Sequence, residues 1–205
     1  MDGTLVNSDA VVERVWRRWA VEQGLDPALV LPVVHGRQAH STMAELLPDR
    51  PMEDNLRDNA LMLAEEATDV AGVTAIPGAR EFLAAIEDAP HALVTSADSA
   101  LAKARMTAAG LRIPDHQVTA ESVSASKPDP EGFLKAAHDL GVHPWDCVVL
   151  EDSAAGIEAG LTAGMRVVGV GPRAAAHGPT AQVDTLEQLR VRPAPDACVR
   201  LTIVG

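Results

Sequence analysis

The chain has 205 residues, 47% of them apolar, with three Trp, two Phe and no Tyr, so its core must be built from Ala, Val, Leu and Ile. A formal net charge of −12 argues against nucleic acid or anionic membrane as a partner, and any phosphate site must carry its own local cations. Cys147 and Cys198 form neither a disulfide framework nor a zinc pattern, no apolar run approaches a membrane span, and no basic-then-apolar leader opens the chain, so a cytoplasmic protein is expected.

The sequence opens on Met1-Asp2-Gly3-Thr4-Leu5-Val6, a turn-like Asp-Gly with no apolar strand before it. Val11, Val12, Val15, Trp16, Trp19 and Ala20 recur at helical spacing and predict a helix from Asp9 to about Gln23. Asn7, Ser8 or Asp9 could cap it, and Gly24 could close it. Helical patterning continues in a short run to Val34, from Gln38 to Leu47 and from Glu53 to Ala67, with no strand-like alternation between. Residues 8–74 therefore read as an all-helical insert.

The character changes at Ile76-Pro77-Gly78. A helix is expected over Ala79–Ile86, a strand over His91–Thr95, a helix over Ser99–Ala109 and a short strand over Gln117–Thr119. A helix over Pro130–Leu140, a strand over Cys147–Leu150, a helix over Ala154–Ala163 and a strand over Arg166–Val170 follow. This rhythm predicts an α/β core, made of residues 1–7 and 75–205, with a parallel sheet covered by helices on both faces. A further strand is expected at Gln182–Asp184. The alternation of Ala197–Val204 behind a Pro193–Asp196 turn predicts an edge hairpin.

Val148 to Leu150 read as a buried strand, and Glu151 and Asp152 stand where it ends, before Ser153 and an Ala/Gly-rich helix. In parallel α/β sheets ligands bind beyond the carboxyl ends of the strands. Carboxylates there need a compensating cation, and hard oxygen ligands suit Mg²⁺. A solvated acidic loop before a helix is the plain alternative. Three other pieces belong at strand ends: Asp2-Gly3-Thr4, Thr95-Ser96 and Lys127-Pro128. Taken singly, these are a turn, a helix cap and an exposed lysine. Together they put hydroxyls, a point cation and three carboxylates on one rim, the parts needed to hold Mg²⁺ and a transferring phosphoryl group.

On these residues the chain resembles the phosphatases of the haloacid dehalogenase superfamily. It carries the back half of Asp-x-Asp-Gly-Thr, an apolar run ending in Thr95, the Lys127-Pro128 pair and Glu151-Asp152, in that order. The insert resembles the family's helical cap, and the whole chain is similar to bacterial sugar phosphatases and to 2-deoxyglucose-6-phosphate and glycerol-phosphate phosphatases. Val12-Glu13-Arg14-Val15-Trp16, His35-Gly36-Arg37, Val94-Thr95-Ser96, Gly156-Ile157 and Ala163-Gly164 carry that closer likeness.

The resemblance implies a Mg²⁺-dependent hydrolase of small sugar or polyol phosphates, a monomer or weak homo-oligomer. It makes Asp2 the acid/base residue, with its backbone carbonyl near the metal. Thr95 and the Ser96 N–H would hold the phosphoryl oxygens, and Lys127 would neutralise nucleophile and phosphate. Asp152 would ligate Mg²⁺, with Glu151 as ligand or water-holder. His35, Gly36 and Arg37 would reach the sugar or polyol.

One departure stands out. The family's attacking carboxylate lies two residues before the acid/base Asp, and here only Met1 precedes Asp2. The resemblance therefore implies a strand and a nucleophile upstream of Met1, a natural start further upstream, and an inert chain without them. Two other functions remain open. A phosphosugar mutase of the β-phosphoglucomutase type would need a His ten residues past the acid/base Asp, where this chain has Val12. A non-catalytic phosphosugar-binding protein would use the same Thr95, Lys127 and carboxylates without turnover.

Overall fold

The computed structural model describes residues 1–195 and 198–204. A two-residue strand, β1 (Val6–Asn7), leads into α1 (Asp9–Glu22), which buries Val11, Val12, Val15, Trp16, Trp19 and Ala20 at helical spacing. Trp16 and Trp19 meet edge to face with centroids 5.3 Å apart, and Trp19 Nε1 donates to Asp58 at 3.0 Å. The run to Val34 divides into α2 (Pro27–Val30), begun by Pro27 and capped by Asp26, and a 3-10 turn at Leu31–Val33. The next two helices, α3 (Ala39–Leu46) and α4 (Met52–Thr68), pack against each other.

The chain then returns through β2 (Thr74–Ala75), which pairs antiparallel with β1: Val6 faces Ala75 and Asn7 faces Thr74. The sequence pattern does not reveal this ribbon, because two residues are too few to show alternation. It ties together the two ends of the helical segment.

The remaining elements alternate as expected. They are α5 (Ala79–Ala85), β3 (Ala92–Val94), α6 (Ser99–Ala108), β4 (His116–Val118), α7 (Glu131–Asp139), β5 (Val148–Glu151), α8 (Ala154–Thr162) and β6 (Arg166–Val170). A four-residue helix, α9 (Gly171–Ala174), and β7 (Ala181–Val183) follow. All pairings are parallel: β3 with β4, and β5-β6-β7 in that order. The result is a parallel α/β sheet in two pieces, since β3 and β5 share no ladder among the described residues. Between their facing edges lies a cavity of about 260 Å³, lined by side chains that include Leu93, Phe133, Val149 and Leu150, with Met1 on its wall.

The tail forms a hairpin, β8 (Leu189–Pro193) with β9 (Val199–Ile203), Leu189 opposite Ile203 and Pro193 opposite Val199. It is not the edge of the parallel sheet. Leu189, Val191 and Leu201 lie against the main apolar core, beside α5, so burying that face replaces ladder extension. Asp196 and Ala197, assigned from sequence to the turn and the last strand, lie outside the described residues. Among the described residues no helix is long and apolar enough to cross a membrane.

Candidate active site

Thr95 follows β3, Glu151 ends β5, and Asp152 and Ser153 connect β5 to α8, whose N-terminus is capped by the Ser153 hydroxyl accepting from the Gly156 N–H at 3.1 Å. The parallel strands thus deliver these side chains to a common rim. The helical segment closes over it through the loop before α3. Ser96 Oγ donates to the Gly36 carbonyl at 3.0 Å, and the Gln38 N–H donates to Ser126 Oγ at 3.0 Å. Asp2, His35, Gly36, Arg37, Thr95, Ser96, Lys127, Glu151 and Asp152 all line one cavity of about 100 Å³ between the two layers.

Each carboxylate at this cavity is tied to a basic group. Lys127 Nζ forms a buried ion pair with Glu151 and stands 4.9 Å from the centre of the Phe133 ring. The other Glu151 oxygen accepts from the Asp152 N–H at 3.1 Å, the Ser153 N–H at 3.3 Å and the Ser153 hydroxyl at 3.1 Å. Burial favours a neutral Glu151, but Lys127 and these hydrogen bonds outweigh it and hold the carboxyl below its usual range. Asp152 accepts from Thr4 Oγ1 at 3.1 Å and from Arg173 Nη2 at 3.0 Å. Burial, and then the Glu151 charge beside it, push Asp152 up to about 6 against the pull of Arg173. Asp2 accepts from the Ser8 hydroxyl at 2.7 Å and pairs with Arg105 Nη1 at 2.9 Å.

On the helical side, burial and then Arg173 keep the His35 imidazole below its ordinary range, so it is neutral at neutral pH. Arg37 pairs with Glu45, yet its buried Nε has no partner. Glu66 of α4 meets Arg105 of α6 at 2.6 Å, both buried, and lines the cavity with Asn59 and Trp16. Burial pushes Glu66 up to about 7 in spite of its cationic partner.

Sequence reasoning missed Arg105, Glu66 and Arg173. Two of them carried a signal: Arg105 interrupts the buried stripe Leu101, Ala102, Met106, and Glu66 falls on the face of Asn59 and Met62. Arg173 lies three residues past β6, in a short helix with no motif-like neighbours to mark it.

The expected Mg²⁺ donors, Asp2, Glu151 and Asp152, suit a hard cation in chemistry, but among the described residues no three acidic, His or Cys groups converge on a metal-sized space. Glu151 has both oxygens engaged by Lys127, two backbone N–H groups and Ser153. It braces the lysine and the turn, while Asp152 takes Thr4 on one oxygen and Arg173 on the other. Mg²⁺ keeps several waters and needs only one or two protein carboxylates, and Asp152, buried and raised by a neighbouring charge, is the group such an ion would relieve.

The sequence profile of haloacid dehalogenase-like hydrolases matches residues 1–164. The chain is 40% identical over 206 aligned residues to hexitol phosphatase A of Escherichia coli, covering 97% of this chain and 94% of that protein. It is 29% identical to glycerol-1-phosphate phosphohydrolase 2 of Saccharomyces cerevisiae, over 83% of this chain and 72% of that one. The fold matches a hydrolase from Pseudomonas syringae with a TM-score of 0.79, at 22% identity, over 88% of this chain and 89% of the other.

Proposed function

Because the chain belongs to the haloacid dehalogenase-like hydrolases, we propose that it hydrolyses small sugar or polyol phosphates, with residues 8–74 acting as a cap over a core of 1–7 and 75–205. The observation that carries this reading is the convergence of Asp2, Thr95, Lys127 and Asp152 on one small cavity roofed by His35, Gly36 and Arg37. The names of the relatives, a hexitol phosphatase and a glycerol-phosphate phosphohydrolase, point to the same substrate class.

In this reading Thr95 Oγ1 and the Ser96 N–H hold phosphoryl oxygens, and the Lys127 ammonium, oriented by Glu151, offsets their charge in a site from which water is largely excluded. Asp2 protonates the leaving oxygen and later takes a proton from water. Ser8 and Arg105 fix its carboxylate for that task. The unpartnered Nε of Arg37 and the neutral His35 face the sugar or polyol part. Mg²⁺, held by Asp152 with the Asp2 backbone carbonyl, would add a Lewis-acid charge beside the phosphate.

The attacking carboxylate of an aspartyl-phosphate route falls outside residues 1–205 in this reading. Two observations support that placement. Asp2, Glu66, Glu151 and Asp152 are each already tied to a cation of the chain. The apolar groove between β3 and β5, with an edge on each side that has no ladder partner among the described residues and Met1 on its wall, has the character of a strand slot. The mutase reading has less behind it, because Val12 is buried and cannot carry a proton.

The test is phosphate release from a panel of hexitol, hexose and glycerol phosphates, with and without Mg²⁺, comparing the 205-residue chain with a form extended at its N-terminus. Turnover by the extended form, with the shorter one slower by at least about 10³-fold, is the expected result. Ordinary turnover by the 205-residue chain would refute the placement of the nucleophile while leaving the phosphatase. Phosphosugar binding with no release by either form would favour the non-catalytic binder.

A further inference from the structure

Asp2 and Glu66 are joined across one guanidinium. Arg105 Nη1 meets Asp2 Oδ1 at 2.9 Å, and Nη2 meets Glu66 Oε2 at 2.6 Å. The Ser8 hydroxyl also donates to Asp2 Oδ1, so both contacts of that carboxylate fall on one oxygen. Glu66 is held in the same one-sided way: Arg105 takes Oε2, and Oε1 accepts from no group among the described residues, although the side chain is only 9% exposed. The residue lines the cavity together with Asp2, Asn59, Met62 and Leu63. A carboxylate so little hydrated is short of donors, and burial accordingly pushes it up to about 7 against the pull of Arg105. The ion pair accounts for one Glu66 oxygen and leaves the other without a structural duty.

We infer that Glu66 Oε1 accepts from a substrate hydroxyl on the carbon next to the phosphorylated one, and that it thereby selects open-chain polyol phosphates over pyranose 6-phosphates. The inference deepens the phosphatase reading and rests on it, because there Asp2 protonates the leaving oxygen. A group held one guanidinium away from Asp2 meets the part of the substrate adjacent to that oxygen. An ionised carboxylate only accepts hydrogen bonds. In an open-chain polyol phosphate the neighbouring carbon carries an O–H, which donates. In a pyranose 6-phosphate the same carbon carries the ring oxygen, which offers lone pairs alone and faces the carboxylate repulsively. A site built around a hydroxyl rejects the analogue that lacks it, because the site's own buried group is then left unpaired.

Calorimetric titration of glucitol 6-phosphate, 5-deoxyglucitol 6-phosphate and glucose 6-phosphate into the 205-residue chain, with Mg²⁺ present at pH 8, tests the selection without turnover. Should the chain turn over, the same ratios are read as kcat/KM. The parent should bind glucitol 6-phosphate at least about tenfold more tightly than either of the others, the scale of one hydrogen bond to a charged group. Glu66→Gln presents an amide that donates to a ring oxygen as readily as it accepts from a hydroxyl, so both ratios should fall. Mere weakening of the Arg105 clasp would lower all three affinities alike and leave the ratios unchanged. If E66Q does not fold, Glu66→Asp, which withdraws the charge by one methylene, replaces it and must lower the same ratios. A parent preference below about tenfold, or parent-like ratios in the variant, overturns the inference, while phosphate release from the extended form still judges the phosphatase separately. Binding of none of the three ligands overturns the inference and counts against the cavity as a phosphosugar site.

Discussion

Arg105 Nη2 donates to Glu66 at 2.6 Å across the seam between α6 and α4, and its Nη1 meets Asp2 at 2.9 Å. One buried guanidinium thereby links α4, α6 and the Asp2 carboxylate. Breaking a buried pair by removing one partner costs about 3–5 kcal/mol, because the remaining charges keep their desolvation penalty. Arg105→Met should accordingly lower the urea midpoint by an amount equivalent to ~3 kcal/mol or more, and the double variant R105M/E66L should recover part of it. A parent-like midpoint for R105M would show that the clasp contributes nothing.

Glu66 gives this seam a pH dependence of known sign. Its folded pKa is raised from the ordinary 4.5 to about 7, so between those pH values the folded protein binds more protons at this site than the unfolded chain. The associated stability is fully present below about 4.5 and is lost as pH rises through about 7. Glu66→Gln cannot titrate. Measured from pH 5 to pH 8, its stability relative to the parent should rise by something on the order of 2–3 kcal/mol. A difference that is flat with pH counts against a buried, titrating Glu66.

Lys127 has two duties that one substitution should expose together. Its ammonium compensates buried Glu151 and faces the cavity. In a catalytically active, N-terminally extended form, Lys127→Ala should reduce phosphate release by about 10²–10³-fold or more, the range for removing one preorganised electrostatic group. It should also destabilise the fold by about 3–5 kcal/mol. Adding Glu151→Gln should restore stability but not turnover.

Gly36 stands where the helical segment meets the parallel sheet, its carbonyl accepting from Ser96. Its φ is +84°, and a Cβ there would overlap the Ser153 hydroxyl that caps α8. Gly24 has a similar φ of +72° with nothing near a Cβ. Gly24→Ala should therefore cost only the backbone strain, about 1–2 kcal/mol. Gly36→Ala adds the displaced cap, about 1 kcal/mol more, and should raise KM in the active form. Thermal melts of the two variants compare these costs directly, and equal losses would remove the close approach from the argument.

The helices and parallel strands were legible because their signals are local. The apolar stripe of Val11, Val15, Trp16 and Trp19 makes α1 amphipathic wherever it packs, and Val148–Leu150 before Glu151-Asp152 reads as a strand running into a loop. The β1–β2 ribbon was not legible, since two residues carry no periodicity and its partners are nearly seventy positions apart. The hairpin was legible as a hairpin, but not its place, because alternation gives a face to bury and not the surface that buries it.

The order and type of the chemical groups were likewise set by sequence alone: Thr95-Ser96, Lys127 and Glu151-Asp152 come after strands, and strand ends define a rim. Which cation answers which carboxylate was decided only by tertiary structure. Arg105 reaches Asp2 and Glu66, Lys127 reaches Glu151, and Arg173 reaches Asp152 and Asp9, from positions as far as 164 residues apart. The physical reason is that burying a charge requires a partner within a few ångströms, while the chain fixes only what is near along the backbone. The sequence supplies the charges, and their pairing comes from the packing of the helices and strands.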